Sequence, residues 1–143
     1  MVTGGKMREI LLHGSSDAAF DSSVAFARQL AELLSARLHV VYTVEDPLSA
    51  GWTAEMSADR LPEVHQAIEA EARERLARLI PLEDQERLGV EIVLATGPAT
   101  VELLRYANDH AIDLAIVHAT AGSAGVARAL LDHGRCAVLA LRR

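Results

Sequence analysis

Apolar residues along this chain fall into two alternating patterns, short continuous runs and longer stretches with a helical period. The short runs are Glu9–His13, Ala36–Val44, Val90–Ala95, Asp113–Val117 and Ala137–Leu141. Apolar runs of about four to eight residues that end at turn residues are typical of strands covered on both faces. We therefore predict five buried β-strands.

Spacings of three and four residues between apolar positions predict a helix in each interval between these runs. One helix begins at Asp21, and the others cover Pro62–Ile80, Ala99–His110 and Val126–His133. The residues expected to face the core are Val24, Ala27, Leu30, Ala31 and Leu34 in the first helix, Val64, Ile68, Ala72, Leu76 and Leu79 in the second, and Val101, Leu104 and Ala107 in the third. On the second helix, Glu71 and Arg75 are spaced to form an i,i+4 ion pair.

Capping chemistry predicts where two of these helices begin or end. Ser16, Asp17, Asp21 and Ser22 are all suitable N-caps for the first helix, and the sequence does not choose among them. Gly134 is expected to follow the last helix as its C′ residue, a position that favours glycine.

Strands that alternate with helices predict right-handed crossovers and a parallel sheet in a single α/β domain. In such a sheet the ligand crevice lies at the carboxyl ends of the strands, where the strand order reverses. If the first strand is central, the loop His13–Asp17 faces the loop His118–Gly125 across that point. The second loop leads into a helix N-terminus, which attracts anions. The same Gly, Ser and Ala residues also fit an ordinary tight turn.

Composition restricts the class of protein further. The 143 residues match one domain, with residues 1–7 expected to form a flexible N-terminus and 8–143 the domain. Apolar residues are 50% and aromatic residues 3% of the chain, which predicts a core of Leu, Val, Ile and Ala. The formal charge of −6 argues against nucleic-acid binding. The sequence also contains no apolar run of about 18 residues, the length that a membrane-spanning helix needs.

Few residue patterns favour catalysis, and we predict a protein that is not an enzyme. The chain lacks a Gly-x-Ser-x-Gly elbow, a Walker loop and histidines at metal-ligand spacing. The single cysteine, Cys136, excludes an internal disulfide and favours the reducing cytoplasm; at the start of the last strand it is expected to be buried and inert. Trp52, in a loop over residues 45–59, either clamps a ligand, covers the core edge or joins a dimer.

Several segments, in this order and spacing, resemble the universal stress protein family. They are Ile10–Leu12 with Ser15–Asp21, Ala31–Val44, Thr96–Ala99, Asp113–Val117 and Val126–Leu139. The resemblance extends over nearly the whole chain and implies a three-layer, Rossmann-like α/β fold, similar to adenine nucleotide alpha hydrolases, with strand order 3-2-1-4-5. This order places strand one beside strand four, in agreement with the crevice predicted above.

Many members of this family bind ATP through a glycine motif after strand four, and this chain departs from that motif. His118 and Ala121 stand at the first two glycines, the following loop is shortened to Gly122 and Ser123, and Ala124-Gly125 replaces the final Gly-Ser or Gly-Thr. Ser15 stands at or next to the position of the family's adenosine-binding aspartate. The resemblance therefore implies weak or absent ATP binding and a regulatory role in a stress response.

The alternative is an adenine-nucleotide-binding protein that holds ATP or AMP with the shortened loop. The candidate nucleotide- or anion-binding residues are Ser15, Ser16, Val41, Gly97, His118, Gly122, Ser123 and Gly125. His118 either points into the crevice, where it can be protonated near neutral pH, or fills the space that the missing loop leaves.

The last predicted strand forms a sheet edge, and an exposed apolar edge is usually covered or paired. Family resemblance also implies that two chains pair through this strand. We expect a homodimer whose interface contains Ala137, Val138, Leu139, Ala140 and Leu141. The sequence does not identify any other protein partner.

Overall fold

The chain folds into alternating strands and helices, and the computed structural model describes residues 7–44, 61–119 and 124–142. The elements in chain order are β1 (Glu9–Gly14), α1 (Phe20–Leu34), β2 (Arg37–Val44), α2 (Leu61–Leu79), α3 (Leu82–Leu88), β3 (Glu91–Thr96), α4 (Ala99–Asp109), β4 (Leu114–His118), α5 (Ala124–His133) and β5 (Ala137–Leu141). Each predicted strand and helix is present, with its ends shifted by no more than two residues. The predictions for residues 1–6, for the 45–59 loop with Trp52, and for Gly122 and Ser123 lie outside the described residues.

Helix α3 is a described element that the apolar pattern does not predict. Its sequence, LEDQERL, contains no buried residue, so it has no apolar face that would repeat with a helical period. The helix begins directly after Pro81 and ends at Gly89, whose φ of 63° lies in the left-handed region. Local propensity and end signals, rather than core packing, therefore account for this short helix.

The five strands form one parallel sheet in the order β3-β2-β1-β4-β5. This order confirms the three-layer α/β fold that the resemblance implies. Because β1 is central, right-handed crossovers place α1 and α2 on one face and α4 and α5 on the other. Alternate strand residues fill two cores: Leu12 and Ile116 pack with α1 and α2, whereas Leu11 and Val117 pack with α4 and α5.

The predicted helix ends are corrected at two positions. None of the four suggested residues is the N-cap of α1; Ala19 takes that place, and its N–H donates to Asp17 Oδ1 at 2.9 Å. Gly134 follows α5 without a positive φ. A Cβ there would lie 2.6 Å from the carbonyl oxygen of Leu130, so close approach of the backbone, not a left-handed conformation, requires glycine.

The cores are mainly aliphatic, as composition predicts. Two aromatic residues are buried as well, and two apolar residues that were predicted to face the core are exposed. Phe20 and Tyr42 are also buried, and their rings meet edge to face with centroids 5.4 Å apart. Leu34 and Val101, predicted to face inward, are 38% and 48% exposed. Among the described helices, none is long and apolar enough to cross a membrane.

Candidate functional site

The two central strands separate at their carboxyl ends. The ladder between β1 and β4 ends at the pair Leu12 and Ile116. Beyond that pair, β1 continues to Gly14 in register with β2, and β4 continues to His118 in register with β5. Each strand thus follows its outer neighbour away from the other, which opens a split. The split lies at the strand-order reversal, the position that the sequence predicts for a ligand crevice.

His118 forms one side of this split. It is the last residue of β4 and is only 6% exposed. Neither Nδ1 nor Nε2 has a hydrogen-bond partner among the described residues. Leaving a buried donor or acceptor unpaired typically costs about 1–3 kcal/mol, because the group loses its hydrogen bonds to water. The side chain is therefore packed, but the described residues around it leave both of its nitrogens without a hydrogen bond.

His13 forms the other side and was not among the candidates from sequence. It is 8% exposed, and its Nε2 lies 3.0 Å from Thr43 Oγ1. The Thr43 hydroxyl donates to the Gly14 carbonyl at 3.4 Å, so it accepts a hydrogen bond from Nε2–H of His13. Burial, and then the charge of the nearby His118, lower the pKa of His13 from 6.5 to about 4. This imidazole is neutral at neutral pH.

The loop that follows β1 is held from helix α2 by Arg75. Its guanidinium donates to the carbonyl oxygens of Ser15 at 2.8 Å and Asp17 at 2.7 Å, and to Asp21 Oδ1 at 2.9 Å. It also lies over the ring of Phe20, 5.1 Å from the centroid. Arg75 thus positions the predicted site residue Ser15 instead of forming the expected pair with Glu71. The i,i+4 spacing could not predict this contact, because the residues that Arg75 binds lie more than fifty positions away along the chain.

Glycine at position 14 is required by close packing at the end of β1. A Cβ there would lie 2.8 Å from Cε1 of Phe20 and 2.9 Å from Cδ2 of Tyr42. The two aromatic rings therefore close one side of the strand end tightly. Any larger residue would displace them and the loop that carries Ser15.

The remaining candidate residues are distributed more widely than the sequence predicts. Ser16 is exposed on the β1–α1 loop, and Gly125 is exposed in the first turn of α5, after β4. Val41 is 1% exposed within the core, so its side chain is not available to a ligand. Gly97 follows β3 at the far edge of the sheet, with φ 134° and its N–H bonded to the Val44 carbonyl at 3.2 Å. The structure brings Ser15 and His118 to the split, but not Gly97 or the Val41 side chain.

Two other chemistries receive no support from the described part of the chain. No group of three or more His, Cys, Asp or Glu residues there is placed to hold a metal ion. Cys136 is half-buried, and burial raises the pKa of its thiol, which lowers its reactivity.

A second surface of interest is the outer edge of β5, which pairs with β4 alone among the described strands. On one face of the sheet, α1 turns its polar flank toward α3: Arg28 pairs with Asp84 at 2.7 Å, and Glu32 pairs with Arg87 at 3.1 Å. The opposite flank of α1, which faces the β5 side, is apolar. Its residues are Phe26, Leu30, Leu33 and Leu34, of which Leu33 is 76% exposed.

The other face of the sheet shows the same feature at this edge. Helix α5 buries Val126 and Leu130, and Gly125, on one side of this stripe, lies next to Thr100 of α4. Leu131 lies on the other side of the stripe, toward β5, and is 65% exposed. The edge of β5 is therefore flanked by exposed leucines on both faces.

Comparison with known proteins finds a matching family and solved structures with a similar fold. A model of the universal stress protein family matches residues 10–142, whereas the search of curated proteins found no match. Among solved structures, universal stress protein UspA from Lactobacillus plantarum has a TM-score of 0.75 at 21% identity and covers 96% of this chain and 99% of its own. A universal stress protein in complex with cAMP has a TM-score of 0.61 at 16% identity, covering 96% of this chain and 98% of its own. A family member from Archaeoglobus fulgidus in complex with dAMP has a TM-score of 0.59 at 14% identity, covering 95% and 98%.

Proposed function

This chain belongs to the universal stress protein family, and we propose that it acts as a non-catalytic regulatory domain that works as a homodimer. The observation that carries this proposal is the edge of β5 with its apolar flanks. Leu139 and Leu141 are partly buried against the α1 side of the sheet, and exposed Leu33 and Leu131 flank the strand. Exposed leucines on the helices beside a sheet edge that no described strand covers favour a protein–protein contact there.

A second copy of the chain fits this surface by symmetry. Its own β5 carries the same free backbone edge, and pairing two identical edges about a two-fold axis closes both at once. The flanks of α1 and α5 from each copy then cover the apolar side chains on both faces. A cytoplasmic location is proposed with it, on the ground that the single cysteine suits a reducing compartment.

Sedimentation velocity at tens of micromolar protein tests the proposal with a matched pair of variants. Leu33→Lys changes an exposed leucine on the α1 flank, whereas Leu82→Lys changes a leucine of 68% exposure on α3, away from β5. We expect a dimer for the natural chain, at least tenfold weaker association for Leu33→Lys, and no change for Leu82→Lys. A monomeric natural chain, or equal behaviour of the two variants, contradicts the proposal.

A second candidate function is binding of an adenine nucleotide, ATP or AMP, in the split between β1 and β4. It is supported by His118, whose two buried nitrogens lack partners among the described residues, and by the cAMP and dAMP complexes of structural neighbours. ATP is expected to bind weakly, because the shortened sequence between His118 and Gly125 offers few backbone donors to a triphosphate.

Isothermal titration with ATP, ADP and AMP, with and without magnesium, tests this second candidate. AMP is expected to bind at least as tightly as ATP, and ATP is expected to release phosphate no faster than in buffer. Tight ATP binding would contradict the expectation for the shortened loop, and no heat with any of the three nucleotides would exclude the candidate.

A further inference from the structure

We propose that Arg75 is a positioning residue for the split between β1 and β4: it holds the β1–α1 loop, residues 15–19, from helix α2 and so sets the backbone groups that a ligand meets there. The proposal rests on the second candidate function, binding of an adenine nucleotide. It adds a residue that lies outside the predicted site and that acts through the loop rather than on the ligand.

The guanidinium of Arg75 uses its full hydrogen-bonding capacity. An arginine has five N–H donors in a rigid planar fork, and the structure gives Arg75 five donor contacts. Nη1 donates to the Ser15 carbonyl at 2.8 Å and to the Tyr42 hydroxyl at 3.4 Å. Nη2 donates to the Asp17 carbonyl at 2.7 Å and to Asp21 Oδ1 at 2.9 Å, and Nε donates to the same Asp21 oxygen at 3.3 Å. A lysine, with three donors on one rotating group, cannot reproduce this set.

The core holds the arginine in this position. Its side chain is 15% exposed, and the guanidinium lies over the buried Phe20 ring. Phe20 in turn meets the buried Tyr42 edge to face. Both rings pack so closely on Gly14 that a Cβ there would lie less than 3 Å from each of them. Packing therefore fixes Arg75, in contrast to an arginine that extends into water.

The contacts of Arg75 orient the peptide units of the loop. A trans peptide unit points its C=O and the following N–H in opposite directions. Because the Ser15 and Asp17 carbonyls point at Arg75, the N–H groups of Ser16 and Ala18 point away from it. Neither N–H donates to a described residue, and both residues are exposed. Arg75 thus selects the donors that the loop offers to a ligand.

Few other contacts restrain this loop. It starts beyond the last pair of the β1–β4 ladder, so it has no pairing with β4. Apart from the contact of Asp17 with Arg75, the described hydrogen bonds of residues 16–19 join positions no more than four apart. A loop that is ordered before its ligand arrives loses less entropy on binding, so the ligand binds more tightly. Loss of the guanidinium should therefore weaken binding.

The loop is tested first without ligand, by NMR of backbone amides in the natural chain, Arg75→Gln and Arg78→Gln. Arg78 is an exposed arginine of the same helix, so its variant is the matched control. In Arg75→Gln we expect shifted Ser16 and Ala18 amide signals, and about tenfold faster exchange of the Ala19 amide, which is hydrogen-bonded within the loop. In Arg78→Gln we expect all three amides to match the natural chain.

Isothermal titration with AMP then measures the effect on binding. We expect the affinity to fall about tenfold in Arg75→Gln, because AMP must order the loop as it binds, and to stay within about twofold in Arg78→Gln.

Arg75→Lys separates positioning from a merely structural role. The lysine keeps the positive charge beside Asp21, so urea unfolding is expected to lie closer to that of the natural chain than that of Arg75→Gln does. Binding of AMP is nevertheless expected to be as weak as in Arg75→Gln, because a lysine cannot hold both loop carbonyls in the same geometry.

The natural chain gives a further readout, which is independent of whether Arg75→Gln folds. The Nε–H proton of Arg75 is expected to exchange with water more slowly than that of Arg78. Saturating AMP should slow it again, because a ligand that favours the ordered loop must also favour the contacts that order it. Equal exchange of the two Nε–H protons would overturn the proposal.

The outcomes distinguish this proposal from the nucleotide function on which it rests. If both Arg75 variants bind AMP as tightly as the natural chain, nucleotide binding stands and the positioning role is wrong. If Arg75→Lys restores the affinity that Arg75→Gln loses, charge alone accounts for the effect, and the role of the planar fork is wrong. If the natural chain binds no nucleotide, the nucleotide function is excluded, and the amide signals of Arg75→Gln decide whether Arg75 positions the loop.

Discussion

His39 at the amino end of the parallel sheet and His118 at its carboxyl end are both buried, but their ring nitrogens differ in hydrogen bonding. At the amino end, His39 is 2% exposed and has both nitrogens engaged, Nε2 with Glu9 Oε1 at 2.7 Å and Nδ1 with the Tyr106 hydroxyl at 2.7 Å. At the carboxyl end, His118 is 6% exposed and has neither nitrogen engaged by a described residue. Burial of a histidine is therefore uninformative by itself, and the informative property is whether its nitrogens are satisfied.

Other polar groups at the amino end of the sheet also have hydrogen-bond partners within the chain. Asp113 Oδ2 accepts the backbone N–H groups of Arg8 and Glu9, each at 2.9 Å, and so ties β1 to β4. Burial, with the nearby Glu91 carboxylate, raises the pKa of the Tyr106 phenol, which keeps its proton available to His39. Polar groups at this end bind one another, whereas at the carboxyl end both nitrogens of His118 lack a partner among the described residues.

The largest expected effect is acid destabilisation through His13 at the carboxyl end. Its pKa is lowered from 6.5 to about 4 in the folded chain. The unfolded chain therefore takes up the proton first. The contribution of His13 to stability is complete above pH 6.5 and is lost as the pH falls from 6.5 to 4, by about 3 kcal/mol in total. Urea unfolding without phosphate or sulfate, at fixed protein concentration, measures this loss. His13→Gln, which can still donate to Thr43, is expected to unfold with a shallower pH dependence; an equal slope would contradict this assignment.

The next effect is removal of the satisfied histidine. His39→Leu leaves the Glu9 carboxylate and the Tyr106 hydroxyl without their partner in a partly buried position. We expect the free energy of unfolding to fall by about 2 kcal/mol at pH 7. A change below about 0.5 kcal/mol, within the usual range for surface substitutions, would show that the network adds nothing to stability.

Tyr106→Phe sharpens this result by removing one hydrogen bond and keeping the ring. The ring stacks on His110 with centroids 3.7 Å apart, and this contact is retained in the variant. The expected loss is about 1 kcal/mol in urea unfolding, because only the bond to His39 Nδ1 is lost. A loss as large as that of His39→Leu would place the stabilisation in the tyrosine rather than in the shared network.

The smallest expected effect has the opposite sign. His118→Leu replaces a buried polar ring, whose nitrogens bond to no described residue, with an apolar side chain, so it is expected to leave stability unchanged or raise it by up to about 1 kcal/mol. Urea unfolding at pH 7, beside His39→Leu, makes the comparison direct. If both variants lose stability equally, the difference between the two ends of the sheet does not exist.

Much of the fold follows from local patterns, and the errors have identifiable causes. The apolar runs and helical spacings predict every described strand and all helices except α3, which buries no residue and so has no pattern to detect. Val101 shares the apolar character of a core residue, but Leu103 takes the buried position on α4. Periodicity defines a stripe on a helix, whereas the packing partner decides which side of the stripe is covered.

The candidate site is less predictable for the same reason. The sequence identifies the place of the crevice, because the carboxyl ends of parallel strands meet at the strand-order reversal. It does not single out His13, whose role depends on Thr43 of β2 and His118 of β4. The sequence also predicts that Arg75 pairs with Glu71 on the same helix, whereas the Arg75 guanidinium binds the β1–α1 loop.

The sequence by itself determined the α/β class, the number of strands and the family. Only the tertiary structure decided which polar groups are satisfied. His39 and His118 both occur within apolar strands, and nothing in their neighbours along the chain separates them. The difference arises because hydrogen bonds join residues distant in sequence, such as His39 with Tyr106, and only the packed sheet and helices bring such partners within reach.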